Sequence, residues 1–241
     1  MTWDFVVILI FLAIAVPLLG RHRVRQLLRM PQTTGRQRLR LYFSTIFGQW
    51  ALAGVIAWRC NSHQVSMASL GVEISRPVLT ALTSVALGGL LLTNQVFSIR
   101  EIVKQPDPMG NRMPFLAMRI FPQNRGEQAA FVAVVATVSV CEEVIYRGFV
   151  QWAFQRASSG LVLAGVASSA IFFGAAHLYQ GRKGMAVTGI MGFIFSAIRA
   201  WTKSLLPCVI AHFITDLSVG LLLPARLRSL GNSSSRDALA P

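Results

Sequence analysis

Apolar residues run in seven stretches along the chain, near 3–20, 41–58, 78–97, 129–151, 161–178, 185–200 and 204–223. Polar or basic residues break off each one. A helix that crosses a bilayer needs about 20 apolar residues, with a range of roughly 17 to 25. Hydrocarbon offers the backbone no water, so its N–H and C=O groups must pair within the segment. The pattern therefore predicts an all-α polytopic bundle of about seven transmembrane spans. The sixth stretch is the shortest, and its Gly189 and Gly192 should let it pack closely against a neighbour.

Composition agrees. The chain has 241 residues, 54% hydrophobic and 13% charged, where a soluble domain carries about a quarter charged. A net charge of +14 fits either a nucleic-acid face or arginines crowding one side of a membrane, and positions decide between them. Seven arginines lie in residues 21–40 alone, between the first two spans. Alternate connections (21–40, 98–128, 179–184 and 224–241) hold 17 Lys and Arg, against 5 in those between them (59–77, 152–160 and 199–203). The excess of basic residues marks cytoplasmic loops. The expected protein is thus multi-pass in the inner (plasma) membrane, N-terminus outside and C-terminus cytoplasmic. Its expected partner is the bilayer, with no nucleic acid.

The first span carries Asp4 and no basic residues ahead of its apolar run, so it reads as an uncleaved anchor. Cys60, Cys141 and Cys208 are isolated, so disulfides do not build the fold. The organisation expected is a three-span N-terminal region with cytoplasmic loops over 1–127, a helix bundle over 128–223, and a disordered tail over 224–241. Residues 104–127 form the longest polar connection, and Met113 to Phe121 should lie along the membrane surface.

Ionisable groups inside spans are costly and therefore candidates for function. Six fall in the last four spans: Glu142, Glu143, Arg147, His177, His212 and Asp216. The first three spans read as apolar inside, apart from Asp4. Adjacent helical residues point about 100° apart, so Glu142 and Glu143 should not share a partner. Glu143 and Arg147 are four apart with the acid first, the favoured order for an ion pair. Glu142 is left to face a cavity as a general base. His212 and Asp216 also share a face, with Cys208 one turn earlier. Cys208 follows Pro207 in an apolar setting that makes an inert thiol. No H-E-x-x-H motif is present. The same residues also admit a bland reading, an ionic lock between helices in a non-catalytic scaffold or immunity-type protein.

Taken in order, E-E-x-x-x-R (142–147), F-x-x-x-H (173–177) and H-x-x-x-D (212–216) lie on three spans. Arg147-Gly148-Phe149, His177-Leu-Tyr-Gln-Gly181 and Ser204-Leu-Leu-Pro207 flank them. The set resembles the CPBP family, the CAAX-prenyl-protease and bacteriocin-processing intramembrane proteases, also called the Abi family. The resemblance covers about residues 128–223. It implies a peptide-bond hydrolase acting on a membrane-associated or prenylated-type substrate in a cavity open to the cytoplasm. In the family's terms Glu142 and His177 activate water, Glu143 and Arg147 orient, and His212 with Asp216 holds the oxyanion. An ionised carboxylate repels an oxyanion, so Asp216 acts protonated or through His212. Family members are often labelled metalloproteases. Zinc, if bound, would sit on Glu142, His177 and His212, and a metal-free glutamate mechanism fits equally. From the span boundaries, at about 1.5 Å per residue, Glu142 lies about 20 Å from the cytoplasmic end of its span, and His177 only a few ångströms from that end of the next.

Overall fold

A computed structural model describes residues 1–30, 32–104 and 112–237, and no strand occurs among them. Helix α1 spans Trp3–Arg29, α2 Gly35–Ser62, the short α3 Met67–Leu70, α4 Pro77–Val103 and α5 Arg112–Ile120. Helix α6 spans Arg125–Ala157, α7 Val162–Ala176, α8 Gly181–Thr202 and α9 Leu206–Asp237. Six of these are long and apolar enough to cross a membrane, and α7 is a shorter apolar helix of 15 residues. All seven predicted stretches fall on helices. The short one is the fifth, however, while α8 reaches 22 residues. The outward surface is apolar: Phe47, Val85 and Ile171 are each more than two-thirds exposed, as lipid contact requires.

Local chemistry sets the boundaries. Thr34 and Gln37 form a capping box at the start of α2, satisfying two orphan donors reciprocally. The Asn124 side chain caps α6 by accepting from Glu127 N. Pro17 lacks an N–H and would crowd the carbonyl four residues back. A π turn over Phe11–Ala15 precedes it within α1 and widens the helix there. The sequence predicts a disordered tail from 224, but α9 continues to Asp237. Extending an existing helix adds one bond per residue without a new nucleus, and Ala225, Arg226, Leu227 and Arg228 are good helix formers. Residues 238–241 of that tail, and 105–111 of the long polar connection, lie outside the described residues.

Apolar packing alone gives helices little reason to associate in lipid, so small residues and interhelical hydrogen bonds matter. Gly174 on α7 meets Gly189 on α8. A Cβ added at Gly174 would stand 3.1 Å from both Gly189 Cα and Met185 O. Nearby, a Cβ at Gly192 would stand 3.2 Å from Ala170 Cα, so the close packing expected of α8 is present. Ser169 Oγ donates to Tyr146 O (2.9 Å), Ser196 Oγ to Ser169 Oγ (2.9 Å), and Gln151 Nε2 to Ser196 O (3.0 Å). These bonds tie α6, α7 and α8 together. Because the obstacle at Gly174 is backbone, Gly174→Val should cost about 1–3 kcal/mol. Thermal unfolding in detergent reads this, and an unchanged midpoint would reject the close contact.

Ionic pairs lie at the ends of the first two spans, outside the apolar runs apart from Asp4, which the sequence already sets apart. Arg38 on α2 forms a buried bidentate pair with Glu127 on α6 (2.7 and 3.0 Å). Asp4 accepts from Arg59 Nε (2.7 Å) and lies 3.0 Å from His63 Nε2. Arg38, Arg59, His63 and Glu127 sit at helix ends beyond the apolar runs, and Asp4 sits in the first turn of α1. Helix α5 covers most of Met113 to Phe121. It buries Leu116 and Ala117, the latter in a cluster with Ile99 and Leu223, and Arg119 donates to the carbonyls of Leu27 and Met30.

Candidate active site

The centre of the bundle is ionic. Glu143 and Arg147 have fully buried side chains, and Arg147 Nη1 donates to Glu143 Oε1 at 2.9 Å. The Arg147 guanidinium also stacks 4.0 Å above the Phe173 ring and 5.2 Å from that of Phe195. His212 Nδ1 lies 2.9 Å from the same Glu143 oxygen. A carboxylate can only accept, so the proton is assigned to Nδ1. That leaves Nε2 facing Glu142 Oε2 at 4.0 Å and Asp216 Oδ2 at 3.5 Å.

Both adjacent glutamates thus approach one histidine, where the sequence reading kept them apart. Two features explain the difference. The turn from Glu143 to Val150 is π-helical, which narrows the angle between successive side chains and is frequent at functional sites. The His212 ring also offers a nitrogen to each acid.

Glu142 differs from Glu143 in its partners. Gln49 Nε2 on α2 donates to Glu142 Oε1 at 3.0 Å, in place of the cations that hold Glu143 Oε1, while Oε2 of either glutamate is buried without a hydrogen-bond partner. Exposure rises through the cluster, from 0% at Glu143 and 9% at His212 to 16% at Glu142 and 43% at Asp216 (side chains). The site therefore opens in the direction that α9 takes from His212 to Asp216.

His177 closes α7 at that open side. Its Nδ1 donates to Phe173 O at 2.8 Å, because a carbonyl can only accept. Nε2 is left as the free nitrogen. The ring packs on Phe173 (4.6 Å between centroids) and near Tyr179 (5.6 Å). Phe173 in turn stands edge-on to His212 at 6.1 Å. Among the described residues His177 has no hydrogen bond or ion pair with Glu142, Glu143, His212 or Asp216.

Its depth is closer to that of Glu142 than the span boundaries suggest. Helix α6 runs on to Ala157, and the turn at 158–161 leads directly into α7. Ser169 bonds Tyr146 O between these antiparallel helices. Four residues back along α6 therefore match four forward along α7, which sets Glu142 level with Phe173. His177 is one turn further. At about 22 Å, from 1.5 Å per residue, α7 is shorter than the other apolar helices.

The six titratable residues singled out from the sequence thus occupy one region, and the decisive comparison covers that region. Residues 125–218 match the Rce1-like family, type II CAAX prenyl endopeptidase Rce1-like. The match begins with the first residue of α6 and ends two residues past Asp216. It bears out the resemblance to CPBP proteins. The CAAX-endopeptidase match supports a membrane protease, a hydrolase of peptide bonds, for this multi-pass chain. Helices α1 to α5 precede the matched region. No curated protein and no solved structure matches the chain.

A catalytic zinc takes three protein ligands, and Glu142, His177 and His212 are the three the sequence offers. Among the described residues no group of three or more His, Cys, Asp or Glu is arranged to hold a metal. Glu142 and His212 approach each other, but His177 stands apart from both, so the side chains as placed do not fit a three-ligand zinc site. Cys208 is fully buried and its thiol donates to Phe195 O at 3.2 Å, while the nearest turn's His212 is engaged by Glu143.

Sequence reasoning missed Gln49. Its signal was a lone amide within the apolar run 41–58. Phe173 was noted only as a motif position, and its stacking between Arg147, His177 and His212 has no signature along the chain.

Proposed function

We propose that the chain is an intramembrane endopeptidase that hydrolyses a membrane-associated or prenylated-type substrate with water activated by Glu142. The observation that carries this reading is the unequal treatment of the two glutamates. Glu143 is locked by Arg147 and His212 in a buried triad. Each glutamate keeps a buried Oε2 with no hydrogen-bond partner, but Glu142, one residue earlier, has no cationic contact closer than His212 at 4.0 Å and a side chain 16% exposed against 0% for Glu143. A general base must lie within hydrogen-bond reach of the proton it takes, and Glu142 Oε2 is free to hold a water.

Each neighbour then has a role. Glu142 Oε2 takes a proton from the water, whose oxygen attacks the substrate carbonyl. His177, with Nδ1 held by Phe173 O, keeps Nε2 as an acceptor for the same water, a role that requires its ring to move toward Glu142 when substrate binds. His212, acting as the imidazolium, donates Nε2–H to the developing oxyanion while Nδ1–H is held by Glu143, and donors placed where charge develops are the usual main source of stabilisation. Asp216 supports His212 from one turn away. Glu142 returns its proton to the departing amine. A water-activating carboxylate needs no metal for these steps.

The open side of the site adjoins the arginine-rich end of α1, whose Gly20 approaches Tyr179. The positive-inside rule makes that end cytoplasmic, so substrate arrives from the cytoplasm. Reporter fusions at residue 30 should read cytoplasmic and those at residue 68 external; the reverse pattern would reject this orientation. The experiment that tests the function is a comparison of membrane peptidomes from cells carrying the parent chain or Glu142→Ala. Truncated products present only with the parent support the proposal. Identical peptidomes count against it.

A further inference from the structure

Gln49 lies on α2, outside the region that matches the endopeptidase family, yet its amide reaches the carboxylate to which the mechanism assigns the base. We infer that Gln49 is a positioning residue that holds Glu142 Oε1 and thereby presents Oε2 to the water. This rests on the proposed function and adds the element that selects which oxygen acts.

Geometry supports the assignment at several levels of the α2–α6 contact. The bond is 3.0 Å long and half-buried. It can exist only with Nε2 toward Glu142, since Gln49 Oε1 would oppose an ionised carboxylate. One residue on, Trp50 Nε1 donates to Thr137 Oγ1 at 3.2 Å. Three turns earlier the Arg38–Glu127 pair locks the same two helices. Helix α2 cannot slide on α6 without breaking these bonds together. The Gln49 amide is therefore delivered to a fixed point, as preorganised sites require.

The partition of the Glu142 oxygens follows. Oε1 is occupied by the amide. Oε2 is buried and free of protein partners, and it is the oxygen 4.0 Å from His212 Nε2. Without Gln49 the carboxylate could rotate about its last bond, or swing toward His212, and lose its aim at the water. The family-matched region thus supplies the base, while the preceding region supplies the group that orients it.

The test uses the full-length protein in proteoliposomes, with an internally quenched farnesylated peptide ending in a CAAX tetrapeptide as the probe. Gln49→Leu should lower kcat by about 10- to 100-fold, the scale of one hydrogen bond to a charged group, with KM little changed. Gln49→Glu keeps the shape. Its carboxyl shares a proton with Glu142 at low pH and repels it when both ionise, so its rate relative to the parent should fall as pH rises. Infrared spectra give a readout without substrate: the carboxylate bands that vanish in Glu142→Gln should shift in Gln49→Leu. If Gln49→Leu does not insert, Gln49→Glu carries the test alone. A parental kcat with unshifted bands in Gln49→Leu, or a pH-independent loss in Gln49→Glu, would overturn the inference. An active Glu142→Gln measured alongside would instead sink the underlying function, so the two failures are told apart.

Discussion

Glu142→Gln inserts, folds and loses cleavage. The substitution keeps the volume and the mid-helix position but replaces the acceptor-only carboxylate with an amide that cannot take a proton. General-base removal costs typically 100- to 10,000-fold in rate, so initial rates in proteoliposomes at equal protein level should fall in that range. The fold should survive, because Glu142 belongs to no buried ion pair as close as 3 Å. Its nearest cationic contact is His212 at 4.0 Å. This result separates an enzyme from a scaffold, since a scaffold that uses these residues as an ionic lock tolerates a neutral isostere at the partly exposed position. Cys208→Ser is the matched control. Its thiol is sealed against Phe195 O, so a parental rate is expected, and a dead Cys208→Ser beside an active Glu142→Gln would move the chemistry to the cysteine.

Arg147→Met destabilises the protein by about 3–5 kcal/mol, the usual cost of breaking one side of a buried pair. Glu143 is fully buried, and Arg147 is its nearest full charge. Without Arg147, His212 alone faces that carboxylate, and the stacking on Phe173 and Phe195 is lost as well. Arg147→Lys should recover part of the loss, because it keeps the charge but not the planar guanidinium that fits between two rings. Denaturant unfolding in mixed micelles measures the difference. A parental stability for Arg147→Met would show that the ionic centre contributes nothing to the bundle.

The helical spans and the titratable cluster were legible in the sequence for one shared reason. Hydrocarbon penalises polar groups so heavily that span positions and intramembrane charges stand out without any tertiary information. The Glu143–Arg147 pair followed from a spacing of four. What stayed hidden depends on how helices sit against one another. The 15-residue α7 looked like a full span because its apolar run continues through Leu178, whereas the chain leaves the helix at His177 and turns at Gly181 with φ of 81°. The π turn at Glu143–Val150 has no period of its own to read, so two glutamates predicted to diverge converge on His212. Gln49 carries no motif, and only the α2–α6 register reveals that it meets Glu142. Arg38 and Glu127 are 89 residues apart, and a contact of that separation leaves no trace in local pattern.

Mass spectrometry of products formed in heavy-oxygen water tests the central claim most directly. Purified parent and Glu142→Gln proteins, reconstituted separately, would each receive the farnesylated peptide in water enriched in the heavy isotope. Hydrolysis by an activated water places one heavy oxygen in the new carboxyl terminus. The parent should release such a product and Glu142→Gln should release almost none. A parent that cuts nothing, or equal product from both proteins, would contradict the assignment of this site to peptide-bond hydrolysis.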